Sequence, residues 1–349
     1  MVRKIKRKIY TRLNKFSENT LPYYCYQSGF LSSLYYAFSS SAFRREHKAV
    51  LAGKVKHLKE DNNYFLLVRN THRLEKGLLM RPRRATFGKS FIKETVVNFE
   101  KICRADAMYR ENHQLKWFHD VLKEYFDVIE LDEQTSELKK RFYAVIEKYS
   151  KQIEGPAKIP YNRIHEDFSK ISYDDFYKLA KQRRSVRWFR DEKVPRELID
   201  KAVLAGNQSP SACNRQPFEY KIIDDPEYIE EVVGLPMGTK GYGHSIPVMI
   251  VVIGNLDAYF SERDRHLIYI DASLANMAFM LALETLGLSS CSINWPDVES
   301  REKKMEKFLN LKPYQRPIMC MGVGYPDSEG KVAFSEKREL DDIRKYNFE

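Results

Sequence analysis

The sequence predicts an α+β protein in which a mainly helical N-terminal domain precedes a domain of strands and helices. Three observations carry this. Apolar residues recur at helical spacing over residues 44–150, Gly and Pro interrupt that pattern near 150–172, and short apolar runs of strand length then alternate with helical stretches. At 349 residues the chain exceeds what one ordinary core organises, which favours two domains. The expected divisions are a basic, aromatic-rich segment (1–43), a helical domain (44–165) and a C-terminal domain (166–349).

The N-terminal segment stands apart by charge. Residues 1–100 hold 21 Lys/Arg against 7 Asp/Glu, residues 101–170 hold 13 of each, and residues 171–349 hold 25 against 28. The net charge of +11 is therefore a property of the N-terminal region alone. Arg3, Lys4, Lys6, Arg7, Lys8, Arg12 and Lys15 precede the first acid, Glu18, and residues 19–43 carry no charge until Arg44-Arg45. That stretch is rich in Tyr and Ser and lacks a long aliphatic core, so it reads poorly as a membrane span. Aromatics beside lysines suit the surface of an anionic membrane, with residues 1–45 as the contact; the plainer reading is a solvated basic tail. A nucleic-acid role through the same charge is disfavoured, because no RNA- or DNA-binding module accompanies it.

In the helical domain, Val121, Leu122, Tyr125, Phe126, Ile129 and Leu131 show the clearest helical period. His72 and Glu75 share a helix face but lack a third ligand, so no metal site is expected. The loop Arg81-Pro82-Arg83-Arg84 offers charge for an anion. Gly155-Pro156 and Ile159-Pro160 then read as a linker, and Ser172 with Asp175 approximates a capping box for a helix over 173–182.

Pro195 suits the first turn of a helix that stops at Gly206. Phe218, Tyr220 and Ile222 alternate as a half-buried strand, while Pro247–Ile253 and Pro317–Val323 are continuous apolar runs that read as central strands. Ile268–Leu286 is an almost wholly apolar helix, and burying it on all sides calls for a subunit interface as well as a core. The negative mean hydropathy argues against an integral membrane protein. Five scattered cysteines without a CxxC pair read as reduced thiols of a cytoplasmic protein.

Two segments carry the chemistry. Arg183-Arg184-Ser185-Val186-Arg187 places three guanidinium groups and a hydroxyl within five residues at a helix end. Such forks donate paired hydrogen bonds to phosphate oxygens. Ser209-Pro210-Ser211-Ala212-Cys213-Asn214-Arg215-Gln216-Pro217 supplies hydroxyls and amides between a helix and a strand, suited to the heteroatom edge of a flat heterocycle. Each also has a plain reading: arginines that complement a helix dipole, and side chains that satisfy loop backbone. No GxSxG or HExxH motif competes, and Gly238–Gly243 lacks a phosphate loop's GK[ST] ending and reads better as a lid.

Together these segments resemble the FMN-binding signature of the nitroreductase superfamily, over roughly residues 172–345. The resemblance implies a nitroreductase-like fold, a mixed and mainly antiparallel sheet flanked by helices. It further implies a homodimer with FMN at the interface, reduced by NAD(P)H and reoxidised in ping-pong fashion by a small-molecule acceptor. By resemblance, Arg183, Arg184, Ser185 and Arg187 hold the phosphate and the ribityl or pyrimidine oxygens. Ser209, Pro210, Ser211 and Asn214 lie along the flavin, and Gly287–Trp295, with Ile293 and Asn294, forms a loop under the ring. Lys337 and Arg338, with Arg338 foremost, form a second phosphate clamp. No protein acid or nucleophile is required, since the flavin carries the electron chemistry. The segment His72-Arg73-Leu74-Glu75-Lys76-Gly77-Leu78 with Phe87-Gly88 resembles an extension found on nitroreductase-like proteins of bacterial polysaccharide loci. That places the expected enzyme in polysaccharide biosynthesis, peripheral to the inner face of the membrane. The alternative is a flavin-fold scaffold at a membrane, without turnover.

Overall fold

The computed structural model describes residues 16–59, 63–104, 114–149, 155–164 and 168–347. The helical part comprises α1 (Leu21–Cys25), α2 (Gly29–Phe38), α3 (Arg44–Lys59), α4 (Tyr64–Leu78), α5 (Lys89–Arg104), α6 (Leu115–Val128) and α7 (Glu133–Tyr149). Helices α4 to α7 share one core, in which Leu67, Leu74, Ile92, Phe99, Phe118, Leu122, Tyr125 and Phe142 are wholly buried. On α6 the buried positions Leu115, Phe118, Leu122 and Tyr125 recur every three or four residues, so one face meets the neighbouring helices. Asn63 caps α4 by accepting from the Leu66 N–H at 2.9 Å.

Helix α3 belongs elsewhere. The sequence groups it with the helical domain, but its contacts run to the C-terminal one. Ala49 packs with Leu256, Ala258, Tyr259 and Ile268. A Cβ on Gly53 would lie 2.5 Å from the Leu256 carbonyl oxygen, so only glycine allows this approach. Arg45 donates to Glu299 at 2.8 Å and to Glu306 at 2.8 Å, and Lys56 donates to Asp257 at 2.5 Å. Helix α3 therefore packs with residues 256–268 and with α12. Helices α1 and α2 bury no residue.

The C-terminal domain continues with α8 (Tyr173–Gln182), α9 (Arg196–Gly206), β1 (Phe218–Ile223), α10 (Pro226–Val233), β2 (Val248–Asn255), α11 (Leu267–Thr285), β3 (Ser289–Asn294), α12 (Glu299–Leu309), β4 (Gln315–Gly324) and α13 (Leu340–Ile343). Ser172 caps α8 by accepting from the Asp175 N–H at 3.1 Å, as the sequence predicts. The sheet has the order β1-β2-β4-β3, every pair antiparallel, and one parallel bridge joins Ser185 to Ser290. Successive residues of β2 serve opposite faces. Met249, Val251 and Ile253 pack with Val232 and Met305, from α10 and α12. Val248, Ile250 and Val252 pack with Ile199, Ala272, Phe279 and Leu283, from α9 and α11. The result is helices on both faces of a mainly antiparallel sheet.

One expectation changes here. Gly287–Trp295 is not a loop: Ser289–Asn294 is a strand, paired with β4 from Ser289↔Gly324 to Asn294↔Met319. Helix α11, for its part, is not covered all round by its own chain. It belongs to a stretch, Glu262–Thr285, that is long and apolar enough to cross a membrane. Ile268, Ala272, Ala275, Phe279 and Leu283 face the sheet, whereas Ile270, Leu274 and Met277 are 48%, 45% and 41% exposed.

Candidate flavin site

The arginine segment leaves α8 and runs beside the start of β3. The Arg183 N–H closes the helix on the Leu179 carbonyl, and the Val186 N–H donates to the Ser290 carbonyl at 3.1 Å. Glu284, buried near the end of α11, braces both sides: it accepts from Gln182 Nε2 at 3.1 Å and from Ser289 Oγ at 3.1 Å. Within this frame two buried polar atoms, Arg183 Nε and Ser290 Oγ, have no hydrogen-bond partner among the described residues. Leaving such a group unsatisfied costs about 1–3 kcal/mol, a cost that a phosphate oxygen removes. Arg184 is half-buried and forms no ion pair among the described residues. Arg187 is exposed, its guanidinium 5.8 Å from the centroid of the Tyr242 ring, and its carbonyl accepts from Ser245 Oγ at 2.8 Å. Burial, with the Cys291 thiol at 3.7 Å, pushes the Tyr242 phenol up to about 12, so it stays neutral beside Arg187. Three guanidiniums, one of them with an unpartnered Nε, and the hydroxyls of Ser185 and Ser290 are donors that suit a phosphate dianion.

The second limb, residues 209–216, is held by α11. Asp271 accepts from the Ala212 N–H at 3.0 Å and from Tyr259 Oη at 3.1 Å, and Ser209 Oγ donates to the Leu274 carbonyl at 3.3 Å. Burial raises the Asp271 pKa, a shift that these two hydrogen bonds oppose. Ser211 Oγ accepts from the Gln216 N–H at 3.0 Å, and Asn214 Oδ1 accepts from Gln216 Nε2 at 3.2 Å. Those two side chains therefore brace the loop itself. Cys213, Asn214 and Gln216 have left-handed φ of 54°, 55° and 49°, a run of strained non-glycine residues of the kind that gathers at functional sites.

The limbs do not meet in one chain. The arginine segment is tied to Glu284 and the loop to Asp271, 13 residues earlier on α11, or about 20 Å at 1.5 Å per residue. The exposed stripe of Ile270, Leu274 and Met277 lies along the same helix. On β3, Ile293 points into the core and is 3% exposed, so it offers a ligand only backbone, while Asn294 faces solvent. Lys337 and Arg338 are exposed; Arg338 donates to the Asp342 carbonyl at 2.7 Å, and no described contact links either to Arg183–Arg187. Gly238–Gly243 is anchored rather than free, with Thr239 Oγ1 donating to the Val233 carbonyl at 2.6 Å. His72 and Glu75 pair at 3.2 Å, and Glu75 also accepts from Trp117 Nε1 at 2.8 Å.

Sequence reasoning missed Glu284, Asp271 and Arg215. The first two leave a signal: they are the acids of a helix that is otherwise mostly Ala, Leu, Ile, Met and Phe, and both are buried. Arg215 sits inside the motif, where nothing local sets it apart from its neighbours.

The model of the Nitroreductase family matches residues 180–240 and 235–325. The matched residues span the mainly antiparallel sheet with helices on both its faces, a nitroreductase-like fold. The chain is 26% identical to iodotyrosine deiodinase 1 of Sus scrofa over 257 residues, covering 65% of this chain and 84% of that protein. It is 26% identical over 164 residues to a putative NADH dehydrogenase/NAD(P)H nitroreductase of Methanothermobacter thermautotrophicus, covering 47% of this chain and 83% of that protein. Among solved structures, a putative nitroreductase in complex with FMN from Desulfovibrio desulfuricans matches 50% of this chain and 97% of its own, with 24% identity and a TM-score of 0.41.

Proposed function

We propose that the protein is an FMN-dependent oxidoreductase that takes reducing equivalents from NAD(P)H and passes them to a small-molecule acceptor. One observation carries the reading: Arg183, Arg184 and Arg187 lie within five residues on the segment bridged to β3, where among the described residues Arg183 Nε and Ser290 Oγ are buried without partners. FMN, when bound, supplies the hydride and electron chemistry. The chain's part is to neutralise the phosphate with Arg183 and Arg187, to orient that segment through Glu284, and to present the backbone of β3. The relatives' names span deiodination and NAD(P)H nitroreduction, two reactions with different acceptors. The reading therefore commits to the flavin and to the NAD(P)H half of the cycle. A setting in polysaccharide biosynthesis rests only on the HRLEKGL segment.

The purified protein is expected to be yellow and to release FMN, not FAD, on denaturation. Arg187→Ala weakens FMN binding by about 1.5–3 kcal/mol, the worth of a charge-assisted hydrogen bond. A colourless protein that fails to take up added FMN overturns the assignment.

We further infer a homodimer built on α11. Pairing the exposed stripes of two copies covers Ile270, Leu274 and Met277, and brings the arginine segment of one copy toward the 209–216 loop of the other. Light scattering should give twice the mass of the 41.2 kDa chain. Leu274→Arg should yield monomer that has also lost flavin. A monomeric wild-type protein that still holds flavin contradicts the arrangement.

A further inference from the structure

A second cationic cluster lies outside the phosphate site, where α4 packs against the turn at 212–214. Arg215 is only 9% exposed. Its guanidinium sits 4.8 Å from the Tyr259 ring centroid, Nη1 donates to the Ala212 carbonyl at 3.3 Å, and Nε has no partner. Arg69 and Arg73 stand on α4, the helix that packs against this turn. Arg73 lies 3.6 Å from the centroid of the Phe91 ring and donates to Asn70 Oδ1 at 3.3 Å. Among the described residues no carboxylate pairs with Arg69, Arg73 or Arg215.

The surrounding charges deepen the imbalance. Arg69 acts as a like charge on both Arg73 and Arg215, and Cys213 acts on both with the opposite sign. Burial first, and like charge after it, depresses the pKa of both Arg73 and Arg215. Among the described residues His57 Nδ1 is also buried without a partner, and burial lowers its pKa, which favours the neutral ring over a further positive charge. The acids that Arg215 feels are Asp264 and Asp271, and Asp271 is already occupied by Ala212 and Tyr259. Glu94 acts on Arg73 but accepts from Asn70 Nδ2 at 2.8 Å. Desolvated guanidinium without an anion is unfavourable, and a bound anion relieves it.

The place is as telling as the charge. The turn carries the left-handed residues Cys213 and Asn214, and Asn214 borders a cavity of about 230 Å³ with Glu75, Gln114, Trp117 and Lys158. The cluster therefore stands between the helical domain and the flavin limb at 209–216.

We propose that Arg69, Arg73 and Arg215 bind an anionic group, a phosphate or a carboxylate, carried by the electron acceptor. This deepens the flavin reading and rests on it. The helical domain then acts in substrate choice: α4 supplies two of the three cations, and an acceptor lacking the anion gains nothing from them.

The test uses the full-length, flavin-loaded protein with inorganic pyrophosphate and succinate as probes, titrated calorimetrically at fixed ionic strength. One site per chain is expected, with affinity at least tenfold weaker in the double variant Arg69→Met, Arg73→Met. These substitutions keep the aliphatic contacts, and the flavin spectrum should not change. Binding of pyrophosphate alone identifies a phosphate-bearing acceptor, and binding of succinate alone a carboxylate-bearing one. On the wild-type protein, pyrophosphate or succinate should also protect Arg69 and Arg73 from phenylglyoxal, read by peptide mass mapping, which needs no variant to fold. Absence of binding by both probes, or binding unchanged in the double variant with no protection, overturns the proposal. So does displacement of flavin by the probe, because the cluster then serves the cofactor's own phosphate. A colourless protein that still binds the probes defeats the flavin reading and leaves an anion site standing.

Discussion

Arg316→Ala is expected to cost about 3–5 kcal/mol of folding stability, because it strips the partner from a buried acid. Arg316 lies on β4 and is 3% exposed. Its Nη1 donates to Glu46 at 2.9 Å, and its Nη2 lies 3.2 Å from Glu302 and 3.3 Å from Asp297. Glu302 is 2% exposed and also accepts from Trp295 Nε1 at 2.8 Å. Burial raises the Glu302 pKa, and Arg316 is the first of the groups that oppose the rise. Without the guanidinium, Glu302 must take up a proton or remain as an uncompensated charge. Glu302→Gln should cost less, since the Trp295 hydrogen bond survives and the buried charge is gone. Urea titration of the two variants beside the wild type checks the order, and an Arg316→Ala loss below about 1 kcal/mol would refute the argument. Because Glu46 is on α3, the same substitution should loosen that helix and expose it to protease. For the same reason, a fragment starting at residue 165 would lack Glu46 and Arg45 and should be less stable than the intact domain.

How much of this was legible depends on where the determinants lie. β2 announced itself, since seven consecutive buried residues must be apolar whichever face they serve. The capping pair Ser172 and Asp175 is local and was readable. β3 was not: Ser289, Ser290, Cys291, Ser292 and Asn294 have weak strand preference, and pairing with β4 decides their conformation. The docking of α3 was equally hidden, because the partner of Arg45 lies 254 residues away. In the site, the density of Arg183, Arg184 and Arg187 was visible as chemistry. The roles of Ser211 and Asn214 were not, since either side chain suits a ligand or its own loop, and the fold turns both onto Gln216. Lys337 and Arg338 were placed by resemblance alone, and the chain itself leaves them in solvent.

Deleting residues 1–43 is expected to abolish binding to anionic vesicles while leaving the flavin in place. The basic residues 3–15 lie outside the described residues, so their part rests on sequence. The aromatic segment after them has a described structure. In α1 and α2 nothing is buried, and Tyr23, Tyr24, Tyr26, Phe30 and Phe38 are 66–81% exposed. No described element covers this aromatic surface. Two of its hydroxyls bond to helix backbone: Ser32 Oγ donates to the Cys25 carbonyl at 2.8 Å and Ser33 Oγ to the Gly29 carbonyl at 2.9 Å. Satisfied hydroxyls and a hydrogen-bonded helical backbone lower the cost of entering a headgroup layer, where Tyr and Trp rings are favoured. Each basic residue adds about 1 kcal/mol near an anionic surface. Binding should therefore rise with phosphatidylserine content and weaken as the Debye length falls from about 10 Å at 0.1 M salt to about 3 Å at 1 M. A nucleic-acid partner shares that salt response, and a gel-shift assay run in parallel separates the two. Phe30→Ser with Phe38→Ser separates surface insertion from charge alone, because it changes no charge and should still weaken vesicle binding at least tenfold. Retention of full vesicle affinity after the deletion, or no affinity at low salt, rules the membrane out.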